Sequence, residues 1–440
     1  MTQPPLLELA APPFPADLLS RLLDGQVVVV RGLLQRTGLL APMTAASLDG
    51  IGVVVGQARA EAVGKAGFAR IHELVDPDEI TAITDAIYER LTPAAPEALR
   101  TALSFLFGRR SGYYFERSPN VRFHIPYDAA AAHRRALAVF ARRRGDGKVT
   151  AHGPHRDAWV DCPQNAINVW IAVGPVRHGN GLTIFHDEYR RQFRFRDGYI
   201  EPGVRLSKPL TFDLAPGDAV VFHSNHLHGS ELNQTGDTRF VVSFRATFGR
   251  PNYPHGHYHH YLHAGLAGGP LGFLAGLPQN LQWSFVRYQA RRLQFRLLGR
   301  RRMTGDDGPT PVAGHSGSGR VSAGKPGVLS IPVADFADGP LQALTADVVV
   351  AKLEPARFVA FERRCPHQGG DLAGGWVDGE AIVCPLHSLR IDPDTGASPC
   401  GSLRALRRYR CDVGDGLVCV DLSGAADAGG AADVDGARGH

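Results

Sequence analysis

The sequence predicts a mainly β protein with helices, organised as two domains. After Tyr113, short apolar or alternating runs such as NAINVWIAV, AVVFHS and RFVVSFRATF are bounded by Gly, Pro, Asn or Asp. Many short runs of this kind predict the strands of a sandwich or barrel. A Gly-, Ser- and Pro-rich stretch separates them from a second set of short strands that ends near Leu422. A chain of 440 residues exceeds one ordinary domain, so at least two are expected.

Helical patterns precede and follow the predicted barrel. Ala16–Leu23 is a short amphipathic segment, and the run QVVVVRGLL after it predicts a buried strand. Apolar residues recur with helical spacing from Asp76 to Phe107, where DPDEI supplies an acidic, cap-like start. From Leu281 to Arg302, an apolar stripe surrounded by arginines predicts a surface helix on the same domain, with a membrane-surface helix or a docking site for a redox partner as the alternatives. The predicted boundaries are a first domain of residues 1–303, a flexible linker of 304–326, a second domain of 327–423 and a disordered tail of 424–440.

Composition excludes several classes of protein. The hydrophobic fraction of 44% is too high for a disordered chain, and a net charge of +5 with a pI near 8.9 is too small to indicate nucleic-acid binding. The six cysteines show no disulfide framework, which favours a reduced, cytoplasmic protein. The N-terminus lacks a signal-peptide pattern, and no apolar stretch approaches the length of a spanning helix, so membrane association is not expected.

A cysteine–histidine motif near the C-terminus carries the clearest chemistry. Cys365, His367, Cys384 and His387 form a Cys-x-His and a Cys-x-x-His pair, and Pro follows each Cys. Two thiolates and two imidazoles suit either tetrahedral zinc or an iron–sulfur cluster. The Cys-before-His order of both halves favours the cluster. So do the glycines of QGGDLAGGWVDG, which let backbone amides approach inorganic sulfur.

With these residues and their spacing, the region of about residues 327–422 strongly resembles the Rieske ferredoxin domain. The resemblance implies a small all-β domain with a [2Fe-2S] cluster. Cys365 and Cys384 would hold one iron through sulfur, and His367 and His387 would hold the other through imidazole nitrogen.

Two departures from the family qualify this cluster. High-potential members carry an extra cysteine in each ligand loop, and the two form a disulfide; the corresponding residues here are Gly370 and Leu386. The resemblance therefore implies a cluster of the lower-potential kind found in ferredoxins and oxygenases. The second motif also reads CPLHS, with Ser388 where the family often has Gly, which is expected to cost some backbone freedom.

Histidines and an aspartate in the predicted barrel indicate a second metal site. In HGPHRDAWVD, His155 and Asp157 are two residues apart, so a strand would place both side chains on one face. One imidazole and one carboxylate make two thirds of the facial triad that binds non-haem Fe(II). The third ligand is expected from a later strand, where His223, His226 and His228 are candidates.

An arginine eleven residues beyond His228 indicates an anion site in the same barrel. Arg239 begins a predicted strand in which it shares one face with Val241, Ser243 and Arg245. A barrel-facing guanidinium is costly to bury unless it meets an anion. A carboxylate of 2-oxoglutarate, bound at two points, would satisfy it.

These motifs together resemble the phytanoyl-CoA dioxygenase-like branch of the Fe(II)/2-oxoglutarate oxygenases, over about residues 28–250. The matching residues are His228-Gly229-Ser230, Asn233 and Arg239, and after the first motif Asn168 and Trp170. The resemblance implies a double-stranded β-helix (jelly-roll, cupin-like) catalytic domain. It assigns iron to His155, Asp157 and His228, and 2-oxoglutarate to Arg239, with Arg245 as the alternative anchor. The stretch GLTIFHDEYR departs from the family, which commonly has a Pro and a small residue before a His.

Residues near the first metal motif are predicted to face the substrate. Arg122, His124 and His152 precede or flank that motif and suit a polar or anionic molecule. The His-rich stretch HGHYHHYLH has no acidic partner, so we interpret it as a loop or substrate lid and not as another metal site.

The leading functional hypothesis is hydroxylation of a small polar metabolite with 2-oxoglutarate and O2, assisted by electrons from the Rieske cluster to the mononuclear iron. One alternative is a reductase-driven Rieske-type oxygenase that does not use 2-oxoglutarate, and another is a redox sensor. No dinucleotide fingerprint follows a predicted strand, so electrons are expected from a separate ferredoxin or flavin reductase. Self-association into a homo-oligomer is a further alternative that the sequence leaves open.

Overall fold

The computed structural model divides the chain into two units. The first comprises Met1–Ile200 and Pro209–Thr310, and the second comprises Glu201–Lys208 and Pro311–His440. The described residues are 5–108, 112–132, 151–159, 162–196, 198–201, 204–252, 261–264, 304–306, 322–323, 327–353 and 357–423. Among them, no helix is both long enough and apolar enough to cross a membrane.

Helices dominate the N-terminal part of the first unit. They are α1 (Leu18–Leu23), α2 (Leu33–Arg36), α3 (Leu40–Val55), α4 (Gln57–Ala66), α5 (Pro77–Leu91), α6 (Ala95–Phe107) and α7 (Tyr127–Ala132). The acidic start predicted for α5 is present, since the Asp76 N–H donates to the Glu79 carboxylate at 2.8 Å. The helical segment predicted up to Phe107 is two helices, α5 and α6, whereas α3 and α4 were not predicted.

The strands of the first unit form one large sheet and two smaller ones. They are β1 (Leu6–Leu9), β2 (Val27–Val30), β3 (Tyr114–Glu116), β4 (Asn120–His124), β5 (Ala166–Ala172), β6 (Leu182–Phe185), β7 (Arg194–Arg196), β8 (Tyr199–Ile200), β9 (Ala219–His223), β10 (Leu227–Ser230), β11 (Arg239–Thr247), β12 (Tyr261–His263) and β13 (Thr304–Asp306). The large sheet has the order β1-β2-β9-β5-β11-β3-β12, and β4 also pairs with β11. The smaller sheets are β10-β6 and β13-β7-β8.

The two faces of the large sheet bury different sets of residues because successive side chains of a strand point to opposite faces. Phe240, Val242 and Phe244 of β11 pack in a core that also contains apolar residues of α3, α5 and α6. Val241 belongs instead to an inner cluster with apolar residues of β6. The inner face is therefore covered by a second layer of strands, and Arg239, Ser243 and Arg245 lie on that face by alternation.

The second unit is small and all-β. Its strands are β14 (Ser322–Ala323), β15 (Val328–Pro332), β16 (Gln342–Ala343), β17 (Val348–Leu353), β18 (Arg357–Glu362), β19 (Trp376–Asp378), β20 (Ala381–Val383), β21 (Arg390–Ile391), β22 (Arg408–Gly414) and β23 (Leu417–Asp421). They form a seven-stranded sheet, β14-β15-β23-β22-β18-β17-β16, and a three-stranded sheet, β19-β20-β21. Residues 201–208 belong to this unit, where Lys208 pairs with Asp378 at 2.6 Å.

The predicted fold class is confirmed: a mainly β chain with helices, a cupin-like jelly-roll in the first unit and a small all-β second unit. Short strands also occur inside the predicted linker, since Thr304–Asp306 pairs with β7 and Ser322–Ala323 with β15. The predicted helix from Leu281 to Arg302, the tail of 424–440 and most of the His-rich stretch lie outside the described residues.

Candidate metal centres

Three buried side chains converge in the first unit as a single candidate metal site. His155, Asp157 and His228 each offer one ligand atom, and these atoms all lie within 4.8 Å of one another. The Asp157 Oδ1 atom is 4.0 Å from His155 Nε2 and 3.8 Å from His228 Nε2. Among the described residues this is the group that meets the spacing for one ion. Two imidazoles and a carboxylate are the facial triad of non-haem iron.

The backbone brings the two histidines together through a single antiparallel bridge. The N–H of His155 donates to the carbonyl of His228, and the reverse bond is also 2.9 Å. The strand expected to carry both His155 and Asp157 is absent, because Asp157–Trp159 is a 3₁₀ turn. The turn aims the Asp157 carboxylate back at the two imidazoles, so the pair converges by a turn and not by the pleat of a strand.

Both histidines are oriented for metal binding through Nε2. The Nδ1 atom of His155 lies 2.8 Å from the carbonyl oxygen of Gly153, and that of His228 lies 2.9 Å from the carbonyl of His226. A carbonyl only accepts, so each Nδ1 carries the proton and each Nε2 lone pair is left for a metal. Burial lowers the pKa of His155 to about 3 and also lowers that of His228, which keeps both rings neutral.

Arg245 and Asn168 hold the Asp157 carboxylate. Arg245 Nη2 lies 3.1 Å from Oδ1, its Nε lies 3.3 Å from Oδ2, and Asn168 Nδ2 donates to Oδ2 at 2.7 Å. Burial raises the pKa of Asp157, but the charges of Arg245 and of the two histidines, with the Asn168 hydrogen bond, together lower it below its ordinary value and keep the carboxylate ionised. Arg245 also bonds Glu116 at 3.0 Å, a residue that the sequence did not indicate. With two carboxylates already bound, Arg245 is poorly suited to the alternative role of cosubstrate anchor.

The competing histidines, His223 and His226, lie away from the triad and bond the backbone. His226 Nε2 is 3.0 Å from the carbonyl of Gly25, and its Nδ1 is 3.2 Å from the carbonyl of His223. His223 Nδ1 accepts the N–H of Asn225 at 3.2 Å. These contacts hold both rings against the backbone, and the structure brings His228, and not these two, within ligand distance of His155 and Asp157.

Arg239 lies buried on the inner face of β11. Its Nη1 donates to the carbonyls of Asn180 and Gly181 at 2.9 Å, and its Nη2 is 3.4 Å from Ser230 Oγ. The Nε atom is buried with no hydrogen-bond partner among the described residues. Burial, and next the charge of Arg122, lower the pKa of Arg239 to about 9, so it stays cationic near neutral pH. Trp170 packs under the guanidinium at 5.6 Å.

The residues predicted to face substrate line the same side of the barrel. Arg122 and His124 alternate with core residues of β4 and therefore point toward the inner face. His152 is buried, and its ring centroid is 5.5 Å from that of His155. Tyr199, which the sequence did not single out, places its ring 6.0 Å from His155. Tyr199 reaches His155 because of where the fold places β8, and no motif in the sequence around Tyr199 would have identified it.

The four cysteine and histidine residues of the second unit lie on two adjacent loops. Cys365 follows β18 and Cys384 follows β20. The rings of His367 and His387 are 4.9 Å apart. The hydrogen bond from Cys384 lowers the pKa of the Cys365 thiol against the effect of burial, and backbone N–H groups of His367 and Gln368 add to it. Burial lowers the pKa of His367 to about 4 and of His387 to about 3, so both imidazoles are neutral donors.

The two ligand loops approach each other closely at Gly370. A Cβ at Gly370 would lie 3.0 Å from Cys384 Sγ and 3.2 Å from Leu386 Cβ. Gly370 and Leu386 are therefore neighbours, as the positions of a family disulfide should be, but all six cysteines of the chain are free thiols. Ser388 has a φ of 51°, in the left-handed region that favours glycine, which explains the Gly common in the family.

Comparisons with known proteins match a family to each of two parts of the chain. The family "Phytanoyl-CoA dioxygenase (PhyH)" matches residues 63–241, and "Rieske [2Fe-2S] domain" matches residues 329–409. The chain is 31% identical over 99 residues to methylxanthine N1-demethylase NdmA of Pseudomonas putida, a match that covers 20% of this chain and spans 28% of that protein. It is 24% identical over 100 residues to the ferredoxin component of the naphthalene 1,2-dioxygenase system of Pseudomonas putida, which covers 22% of this chain and 95% of the ferredoxin.

Similar solved structures include the non-heme monooxygenase ThoJ in its Ni complex and the epimerase SnoN in complex with Fe3+, alpha ketoglutarate and nogalamycin RO. The ThoJ match has 18% identity and a TM-score of 0.33, and covers 64% of this chain and 99% of that one. The SnoN match has 16% identity and a TM-score of 0.30, and covers 52% and 83%.

The fold, the His155–Asp157–His228 triad and the two cysteine–histidine loops together define an oxidoreductase of the non-haem iron oxygenase class that also carries an iron–sulfur centre. The chain joins a domain of the phytanoyl-CoA dioxygenase family to a Rieske [2Fe-2S] domain, as the sequence predicted.

Proposed function

We propose that this protein is an Fe(II)- and 2-oxoglutarate-dependent dioxygenase that hydroxylates a small polar metabolite, with the Rieske cluster supplying electrons to the mononuclear iron. The observation that carries the proposal is Arg239, a buried guanidinium on the same sheet face as the residues that hold the triad. Its Nε has no partner among the described residues, and Ser230 lies beside its Nη2. A buried cation of this kind favours a carboxylate ligand.

Each residue has a stated role in the proposal. His155, Asp157 and His228 hold the iron, whose chemistry when bound is the activation of O2. Arg239 binds the distal carboxylate of 2-oxoglutarate, and its bonds to the carbonyls of Asn180 and Gly181 orient it. The neutral imidazoles leave Nε2 as donor at working pH.

The substrate is proposed to contact the polar side of the pocket. Arg122, His124 and His152 face it, and Arg122 makes no hydrogen bond or ion pair to any described residue. A guanidinium that bonds none of the described residues favours an acceptor-rich or anionic group on the substrate.

The electron count gives the Rieske cluster an auxiliary role. Reduction of O2 takes four electrons, and decarboxylation of 2-oxoglutarate and oxidation of a substrate C–H bond supply two each. We propose that the cluster restores the ferrous state after turnover has ended without product. The electrons come from a separate ferredoxin or flavin reductase.

Anaerobic titration of the Fe(II)-loaded full-length protein with 2-oxoglutarate tests the proposal. A weak visible charge-transfer band is expected, and succinate should form once O2 and substrate are present. Arg239→Gln should weaken 2-oxoglutarate binding by about 10- to 100-fold, since hydrogen bonds to a charged group contribute about 1.5–3 kcal/mol. Arg177→Gln, at an exposed arginine before the same loop, serves as the control.

Two ligand variants separate the metal centres. His155→Ala should lose the mononuclear iron and keep the Rieske spectrum, whereas His367→Ala should do the reverse. The absence of both the band and succinate in the wild-type protein would refute 2-oxoglutarate dependence and leave the reductase-driven oxygenase as the better description.

A further inference from the structure

A buried carboxylate binds the turn that holds Arg239. Glu231 directly follows β10, the strand that contains Ser230, and is only 1% exposed. Its Oε2 atom accepts the N–H of Gly179 at 2.8 Å and the N–H of Gly181 at 3.1 Å. Burying a carboxylate is costly unless it accepts hydrogen bonds, and here two of them come from one three-residue turn.

The same turn contacts the guanidinium of Arg239. Arg239 Nη1 donates to the carbonyls of Asn180 and Gly181, both at 2.9 Å. The N–H of Glu231 also donates to the Gly181 carbonyl, at 3.1 Å. Within the described part of the chain, the Glu231 and Arg239 side chains form no ion pair with each other, and Glu231 Oε1 instead lies 3.2 Å from His178 Nδ1. The link between Glu231 and Arg239 is therefore the backbone of residues 179–181.

This turn determines which edge of the Arg239 guanidinium is left for a ligand. Nη1 uses both of its hydrogens on the two carbonyls. The remaining donors are Nε, which has no partner among the described residues, and Nη2, which lies 3.4 Å from Ser230 Oγ. Nε and Nη2 share one edge of the planar fork, and that edge suits two parallel hydrogen bonds to a carboxylate. A shift of the turn would release Nη1 and reorient this edge.

We propose that Glu231 is a positioning residue for 2-oxoglutarate. Its carboxylate fixes the turn of residues 179–181, and the turn holds Arg239 with the Nε–Nη2 edge available to the distal carboxylate of the cosubstrate. The inference rests on the proposed function and deepens it. Glu231 acts through the backbone and does not contact the cosubstrate itself. Because Oε2 accepts both glycine N–H groups, the turn requires an acceptor oxygen at that reach, which an amide can also supply.

Two substitutions of Glu231 separate reach from charge. Glu231→Gln keeps the length and an acceptor oxygen but removes the charge, so the Kd for 2-oxoglutarate should stay within about threefold of the wild-type value. Glu231→Asp keeps the charge but is one methylene shorter and cannot reach both N–H groups, so the Kd should rise about tenfold. The KM for 2-oxoglutarate should rise with it, while kcat at saturation changes less. The charge of Glu231 also acts to raise the pKa of Arg239, and a direct charge effect would give the reverse order of the two variants.

Anaerobic titration of the full-length, Fe(II)-loaded protein with 2-oxoglutarate, followed by the charge-transfer band, gives each Kd. In an Arg239→Gln background, Glu231→Asp should change the Kd by less than about twofold, because the residue that Glu231 positions is already absent. Gly181→Ala disturbs the turn independently, since an added Cβ would lie 3.2 Å from Glu231 Oε2 and 3.3 Å from the Arg177 carbonyl oxygen. It should also raise the Kd, by about threefold or more. Fe(II) affinity and the Rieske spectrum should be retained in every variant and report that the protein is folded.

Glu79→Asp is the matched control. Glu79 also accepts a backbone N–H, that of Asp76 at 2.8 Å, but it does so at the start of α5. Its replacement should leave the Kd for 2-oxoglutarate unchanged. The inference is overturned by an unchanged Kd in Glu231→Asp, by a greater loss in Glu231→Gln than in Glu231→Asp, or by a full effect of Glu231→Asp in the Arg239→Gln background. A wild-type protein that shows no 2-oxoglutarate band refutes the proposed function itself, which is a different result from a normal band with equal Kd values.

Discussion

Arg245 binds both carboxylate oxygens of Asp157 inside the jelly-roll. Its Nη2 lies 3.1 Å from Oδ1 and its Nε lies 3.3 Å from Oδ2. The same Oδ1 atom lies 4.0 Å and 3.8 Å from the Nε2 atoms of His155 and His228. The guanidinium therefore fixes the carboxylate in the orientation that faces the candidate metal position, with Glu116 as its second acidic partner.

Replacing this guanidinium should weaken metal binding. Arg245→Lys keeps the positive charge but cannot hold both oxygens of Asp157 while bonding Glu116. The affinity for Fe(II) should fall by about 10- to 100-fold, the usual range for loss of a group that orients a metal ligand. A competition titration with a chromophoric chelator measures the change.

Arg59→Lys is the control for the loss of a two-point ion pair. Arg59 bonds both oxygens of Glu79 at 2.9 and 2.8 Å on the surface of the same unit. Its replacement should leave Fe(II) affinity unchanged. Equal affinity in wild type and Arg245→Lys would show that Asp157 is oriented by the fold and Asn168 alone.

Motif spacing predicted the metal ligands, whereas the contacts that orient them depend on strand register. His228 and Arg239 could be selected because HGS, an Asn and an Arg occur at fixed intervals in one short stretch. The pairing of Arg245 with Asp157 depends on β11 lying beside β5, with Arg245 opposite Asn168. Arg245 and Asp157 are 88 positions apart, and no local pattern specifies that they meet.

Local propensity also misplaced some elements. The stretch LAPMTAASLDGIGVVV contains two glycines and its apolar residues do not form a clear amphipathic stripe, yet it forms α3. It forms a helix because tertiary packing favours it: a Cβ at Gly50 would lie 2.8 Å from the backbone of Ile87 in α5, and the missing side chain permits this close approach. Asp157 was expected on a strand and lies in a 3₁₀ turn, because a two-residue spacing does not distinguish the two.

His223 should make the iron-free protein sensitive to acid. Burial lowers its pKa from the ordinary 6.5 to about 4, and its Nδ1 accepts the Asn225 N–H only while deprotonated. Below about pH 6.5 the unfolded chain binds a proton at His223, whereas the folded chain does not until the pH nears 4. The contribution of His223 to the free energy of unfolding is therefore full above about pH 6.5 and is lost as the pH falls toward 4.

His223→Asn, which retains an acceptor but does not titrate, should remove about 1 kcal/mol of the fall in unfolding free energy between pH 7.5 and 5.5. Urea denaturation at the two pH values measures it. Fe(II) binding should persist in the variant, since His223 bonds the backbone and not the triad. An unchanged pH slope would mean that His223 is not kept neutral.

The backbone conformation of Ser388 lowers the folding stability of the protein, and glycine would adopt the same conformation without this strain. Its φ of 51° is in the left-handed region, where a Cβ is disfavoured by about 1–2 kcal/mol. Ser388→Ala and Ser388→Gly both remove the hydroxyl, so their difference isolates the backbone. The Gly variant should be more stable than the Ala variant by about 0.5–1 kcal/mol, after allowance for the freedom of Gly in the unfolded chain.

Chemical unfolding of the cluster-loaded protein, followed by the visible dichroism of the cluster, gives this difference. The same pair of substitutions at Ser398, which has no positive φ, should show the opposite order, with Ala more stable. If Gly is not the better residue at Ser388, the left-handed conformation is not the reason that the family favours Gly there.

Gly370 should be important for the cluster in this chain because, with Leu386 on the facing loop, an added side chain would press on both Leu386 and the ligand Cys384. A Cβ there would lie 3.0 Å from Cys384 Sγ, closer than such contacts normally occur, and 3.2 Å from Leu386 Cβ. The Cys365 N–H also donates to the Gly370 carbonyl at 2.9 Å, so a shift of residue 370 moves one ligand loop while the added methyl displaces the other. Gly370→Ala should therefore lose most of its [2Fe-2S] content, measured as iron and sulfide per chain and as the Rieske EPR signal.

Gly414→Ala, at a strand end with no atom within 4 Å of the added Cβ, should keep full content. Normal cluster content in Gly370→Ala would mean that the two ligand loops can move apart at this point without loss of the cluster.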